Sequence, residues 1–102
     1  MRLILLTGLA IAALTTGQAF AGCSEPAAVT DLPNGATASR DDMLAAQRAI
    51  RAYDTAVRQY TSCLQQTGDT TSKGNDAVDR LERVAARFNE ELKAFKEKNS
   101  AT

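Results

Sequence analysis

The side chains of this chain that could do chemistry are few: two cysteines, Cys23 and Cys63, a hydroxyl-rich stretch ending in lysine from Thr70 to Lys73, and three close carboxylate pairs. None has a histidine to work with, because the sequence contains none. Histidine is the usual base that draws a proton from a serine or cysteine nucleophile, and neutral imidazole is the commonest metal ligand. Without it, catalysis would rest on carboxylates and lysine alone.

Thr70-Thr71-Ser72-Lys73 has the spacing of the Ser-x-x-Lys of penicillin-interacting enzymes, with threonine in place of serine. Such a nucleophile needs a rigid scaffold that aims donors at the oxyanion. Here the four residues fall in a polar connector between Gly68 and Gly74. The carboxylate pairs are Asp41-Asp42, Asp76/Asp79 and Glu90-Glu91. A hard cation normally gathers several oxygen ligands on a shaped loop, whereas Asp54/Arg58, Asp76/Arg80 and Asp79/Arg83 stand at the i, i+4 spacing of solvated helix-surface ion pairs. The expectation is a protein that is not an enzyme, with no catalytic residue, no cofactor and no metal.

The cysteines point to a compartment. Arg2 precedes an apolar run from Leu3 to Leu14, broken only by Thr7 and Gly8, then a polar stretch and Ala19-Phe20-Ala21. That run is too short for a stable transmembrane helix, and Ala19 and Ala21 give the small-x-small pattern recognised by signal peptidase. Residues 1–21 therefore read as a cleaved signal peptide, with export to the periplasm or outside the cell, a mature start at Gly22 and no transmembrane segment after processing. Two cysteines in an oxidising compartment predict a Cys23–Cys63 disulfide. The alternative is an outer-membrane-tethered lipoprotein: Phe20-Ala21-Gly22-Cys23 partly matches a lipobox, and acylation of Cys23 would leave Cys63 without a mate.

Twelve Lys+Arg balance twelve Asp+Glu, and removal of Arg2 with the leader shifts this by a single charge. Such a balance argues against a nucleic-acid binder. The remaining chain of about 81 residues is one small domain, near the size at which a core needs a staple or a partner.

The elements follow from pattern. Residues 22–38 carry Pro26, Pro33 and the Asn34-Gly35 turn pair, and read as an extended arm. Ser39 and Asp42 have capping-box spacing ahead of Met43, Ala46, Ile50, Tyr53, Val57, Tyr60 and Leu64, which recur every three or four residues. A helix over about 40–66 is expected, stopping at Thr67-Gly68, with a connector over 67–74. A second helix over about 75–97 presents Val78, Leu81, Ala85, Phe88, Leu92 and Phe95, and residues 99–102 read as a disordered tail. The fold class is all-α: an antiparallel, coiled-coil-like two-helix hairpin over residues 39–98, with Leu64 near Val78 and Met43 near Phe95. Ala45, Ala49, Ala52 and Ala56 form a shallow ladder continued by Cys63. The arm is long enough to run back along that ladder, packed along helix one, to bring Cys23 to Cys63.

Pro33-Asn34-Gly35-Ala36-Thr37-Ala38-Ser39, then Met43, Ala46-Gln47, Ala52-Tyr53, Tyr60 and Cys63-Leu64, resembles a group of small, uncharacterised exported proteobacterial proteins. The resemblance covers about half of the mature chain and implies a periplasmic or cell-envelope helical protein. It names no activity. The functional expectation is a non-catalytic helical interaction or structural module whose partner is a second copy, as a homodimer, or an envelope protein. Exposed Leu44 hints at such a surface. Arg40, Arg48, Arg51 and Arg58, on or near the outer face of helix one, read as a solvated stripe able to meet an anion.

Overall fold

The computed structural model describes residues 22–100. The expected signal peptide, with Ala19 and Ala21, and the last two residues lie outside that range. Two helices account for most of what is described: α1, Arg40–Gln66, and α2, Lys73–Ser100. They pack side by side as an antiparallel hairpin, the expected all-α architecture, and no strand occurs among the described residues.

The ends of α1 are set by local chemistry. The Asp42 N–H donates to Ser39 Oγ at 3.0 Å and the Ser39 N–H to Asp42 Oδ2 at 3.2 Å, a reciprocal capping box. Asp41 and Asp42 also place negative charge at the positive end of the helix dipole. At the other end Gly68 adopts a φ of 75°. Its N–H reaches the Gln65 carbonyl at 3.1 Å, and the Asp69 N–H reaches that of Leu64 at 2.9 Å. This is a Schellman stop, and glycine enters the left-handed conformation without a Cβ clash.

Helix α2 is longer than expected at both ends. It begins at Lys73 because the Ser72 carbonyl already accepts the Asp76 N–H at 2.9 Å, while the Ser72 hydroxyl donates to the Asp76 carboxylate at 3.2 Å. It runs through Asn99 and Ser100, placed in a disordered tail by the sequence. There the Asn99 amide donates to the Phe95 carbonyl at 2.8 Å and the Ser100 hydroxyl to that of Glu97 at 3.2 Å, so side chains occupy terminal carbonyls.

The seam of α1 is the predicted one: Met43, Ala46, Tyr53, Val57, Tyr60 and Leu64 are buried, with Ile50 half-buried. Leu64 shares a cluster with Val78, and Met43 shares one with Phe95, as antiparallel register requires. On α2 only Ala77 and Phe88 are buried. Val78, Leu81, Ala85, Leu92 and Phe95 are half-buried, because the arm covers the other flank of this helix, through Ala77 and Val84.

The arm is held at both ends. Cys23 and Cys63 form a disulfide with Cα atoms 5.7 Å apart and a sequence separation of 40. Closing a loop of this size stabilises the fold by about 4 kcal/mol in the chain-entropy model. Nearer α1, the Thr37 and Ala38 N–H groups donate to the Asn34 carbonyl at 3.0 and 2.8 Å, forming a tight turn. Within it the Gly35 N–H donates to Glu91 Oε1 at 2.8 Å. A Cβ on Gly35 would collide with the Glu91 backbone carbonyl, so glycine is required here by close approach. The Lys98 ammonium donates to the Ala38 carbonyl at 2.9 Å and lies 5.2 Å from the centre of the Phe95 ring.

Candidate functional site

The hairpin seam has two flanks, and they differ. On one lies the arm, in which Cys23, Pro26, Val29 and Leu32 are half-buried and the residues between them are exposed. An inward residue at every third position is the period of a polyproline II helix, whereas a β-strand alternates by two. The rise agrees. From Cys23 to Leu32 such a chain climbs about 28 Å, and from Ala46 to Cys63 an α-helix climbs about 26 Å. Leu32 packs on the cluster holding Ala46 and Phe88, while Cys23 closes on Cys63.

The arm does run back along α1, but it sits between the helices. Val29 joins the cluster of Ala77 and Val84, and Glu25 forms an ion pair with Arg80 of α2. Ala45, Ala49 and Ala52 stay exposed while Ala56 and Cys63 are half-buried, so the arm covers the alanine ladder only at its Cys63 end. A groove shared by two helices offers the arm's apolar residues two walls, and an alanine stripe on one helix offers one.

The other flank carries no such cover. Arg40, Met43, Leu44 and Gln47 of α1 face Phe88, Leu92 and Phe95 of α2 across a groove of about 180 Å³. Leu44, at 37% exposure, is the exposed large hydrophobic residue of the described chain. Val78, Ala85 and Leu92 recur at seven-residue intervals along this flank of α2, all half-buried. The fold thus presents a partly apolar strip along the hairpin, built from Leu44, which the sequence had left outside the seam, and from Val78, Ala85, Leu92 and Phe95, which it had placed inside one.

The stretches singled out for chemistry are engaged in structural hydrogen bonds. In Thr70-Thr71-Ser72-Lys73, the Thr71 N–H and hydroxyl donate to Asp69 Oδ1 at 2.8 and 2.5 Å, and the Lys73 ammonium lies 3.8 Å from Asp69 Oδ2. These bonds, the Thr71 hydroxyl first, hold the Asp69 carboxyl below its ordinary pKa of 3.8. Asp42 caps α1, Asp76 accepts from Ser72 and Glu91 accepts from Gly35. Of the three expected ion pairs, Asp54–Arg58 forms at 3.1 Å. The other two do not: Arg80 turns to Glu25 of the arm, and among the described residues neither Asp79 nor Arg83 forms an ion pair.

No group of three or more His, Cys, Asp or Glu residues is arranged to hold a metal among the described residues. No helix among them is long and apolar enough to cross a membrane. The Cys23 sulfur lies in the bridge to Cys63, and a thioether-linked lipid would need that same sulfur.

No family model matches the chain, and no similar curated protein or solved structure is found.

Proposed function

We propose that this protein is a non-catalytic helical module of the periplasm or cell envelope that self-associates through the open flank of its hairpin. The supporting observation is the asymmetry of the two flanks: the arm covers the seam on one, and the groove between Leu44 and Leu92 is left to a partner. A second copy suits it. Each helix is about 10 Å wide and α1 climbs about 40 Å, so the two-helix face offers about 800 Å² per partner, the area of a standard stable interface. Apposing two such faces about a two-fold axis gives a four-helix bundle. The near-balanced charge of the chain sets up little long-range repulsion between copies.

Light scattering of the disulfide-intact protein against concentration tests the reading, with the double variant Leu44→Ser, Leu92→Ser beside it. Twice the monomer mass for the parent, and the monomer mass for a variant of unchanged helix content, is the expected pair of results. A monomer at every concentration would refute self-association. Export is tested by the intact mass of protein recovered from the cell envelope: a chain starting at Gly22 supports it, and a retained Met1 opposes it.

A further inference from the structure

Helix α2 carries Arg80, Arg83 and Arg87 at intervals of three and four, beside the arm. Arg80 is neutralised by Glu25, but among the described residues neither Arg83 nor Arg87 has an ion-pair partner. Acids are in reach by helical spacing. Asp79 stands four residues before Arg83, and Glu91 stands four after Arg87 but is taken up by the Gly35 N–H. Like charges at i, i+4 are destabilising, so the fold keeps Arg83 and Arg87 together at a cost. The two guanidinium groups line a groove of about 410 Å³ whose apolar lining includes Val29 and Leu32 of the arm and Val84 of α2.

We infer that this groove binds an anionic amphiphile, a phosphate-bearing headgroup resting on Arg83 and Arg87 and its apolar chain lying along Val29, Leu32 and Val84. Guanidinium forks match phosphate oxygens with paired hydrogen bonds, and the apolar wall beside them distinguishes this site from a bare cationic patch. Arg48 and Arg51 of α1 are also exposed and, among the described residues, have no ion-pair partner, and they serve as the internal comparison. The arm's three-residue period does not present the regular edge needed to add a peptide strand. The site lies on the flank away from the proposed self-association face and does not depend on it.

The test is methyl and arginine side-chain NMR of the disulfide-intact protein, titrated with dihexanoylphosphatidylglycerol below its micelle concentration. Parallel titrations use dihexanoylphosphatidylcholine, inorganic phosphate and an acidic peptide. The anionic lipid is expected to shift the Val29, Leu32 and Val84 methyls together with the Arg83 and Arg87 side chains. A cation beside an anionic lipid is worth about fivefold in affinity, so Arg83→Gln with Arg87→Gln should weaken binding about 25-fold. Arg48→Gln with Arg51→Gln, which removes the same charge, should change it by about twofold or less because distant exposed charges are screened. Equal losses in the two variants, equal binding of the zwitterionic lipid, or phosphate alone reproducing the whole response would each overturn the inference. So would an acidic peptide that shifts the backbone amides of residues 28–32 where the lipid does not.

Discussion

One flank of the seam is covered by the protein's own arm, whereas the groove on the other, lined by the same two helices, is open. The covered flank is held by one covalent bond, one ion pair across to α2, and two hydrogen bonds, one from the Gly35 N–H to Glu91 and one from Lys98 to the Ala38 carbonyl. The open groove has packing alone, and its apolar residues stay half-buried. The difference teaches how a two-helix hairpin is stabilised at this size. Two helices cannot enclose a core between them, so a third segment must cover one side, and the arm does so at the entropic cost of ordering irregular chain. The disulfide offsets that cost by restricting the unfolded chain.

Breaking the covered side should have the largest effect. Cys23→Ala with Cys63→Ala is expected to lower unfolding stability by about 4 kcal/mol and to free the arm; denaturant unfolding with amide exchange on residues 24–32 measures both. An unchanged midpoint would mean that the arm contributes nothing. Next comes Gly35→Ala. The new methyl meets the Glu91 carbonyl, and relief requires withdrawing the turn and giving up the Gly35 hydrogen bond, for a cost of about 2–3 kcal/mol. Thermal melts of the alanine variant would contradict the close approach if they overlay those of the parent.

The open side should behave in the opposite way. Leu44→Ser alone is expected to change monomer stability by about 0.5 kcal/mol or less, since exposed positions contribute little, yet to weaken self-association measurably in sedimentation equilibrium. A large loss of monomer stability would show that Leu44 belongs to the core and would erase the contrast between the flanks. The smallest effect lies in the connector, away from both grooves. The Asp69 carboxyl is held below its ordinary value of 3.8, chiefly by the Thr71 hydroxyl and N–H. Its contribution to stability is therefore complete above about pH 3.8 and is lost as the pH falls through its lower folded value. Carboxyl NMR should place the Asp69 midpoint below 3.8 and, in Thr71→Val, closer to it; a midpoint at or above 3.8 in the parent would refute the local cage.

Much of the fold was legible because it is local. The boundaries of α1 follow from a reciprocal cap between Ser39 and Asp42 and from a glycine at the left-handed stop, and both act within a few residues. The α1 stripe is legible for the same reason: seven apolar residues at helical spacing can face inward in only one way. The ends of α2 were less so. Its start depends on Ser72 and its last turn on Asn99 and Ser100, polar residues that pattern alone reads as loop. The pairing of Arg80 was misjudged because helix spacing offers Asp76, and only the position of the arm brings Glu25 closer.

By itself, the sequence determined the two helices and their antiparallel register, since both rest on spacing along the chain; it offered Cys23 and Cys63 as bridge partners beside a lipidated Cys23, and the structure joins the two sulfurs. Tertiary structure decided what the arm covers. Its place between the helices, the burial of Ala77 and the exposure of Ala45, Ala49 and Ala52 all depend on contacts between residues far apart in sequence. Two apolar flanks of nearly equal spacing competed for one short arm. The Cys23–Cys63 bridge and the docking of Gly35 against the Glu91 carbonyl, a contact no periodicity encodes, hold the arm on the flank of Ala77 and Val84 and leave the flank of Leu44 and Leu92 uncovered.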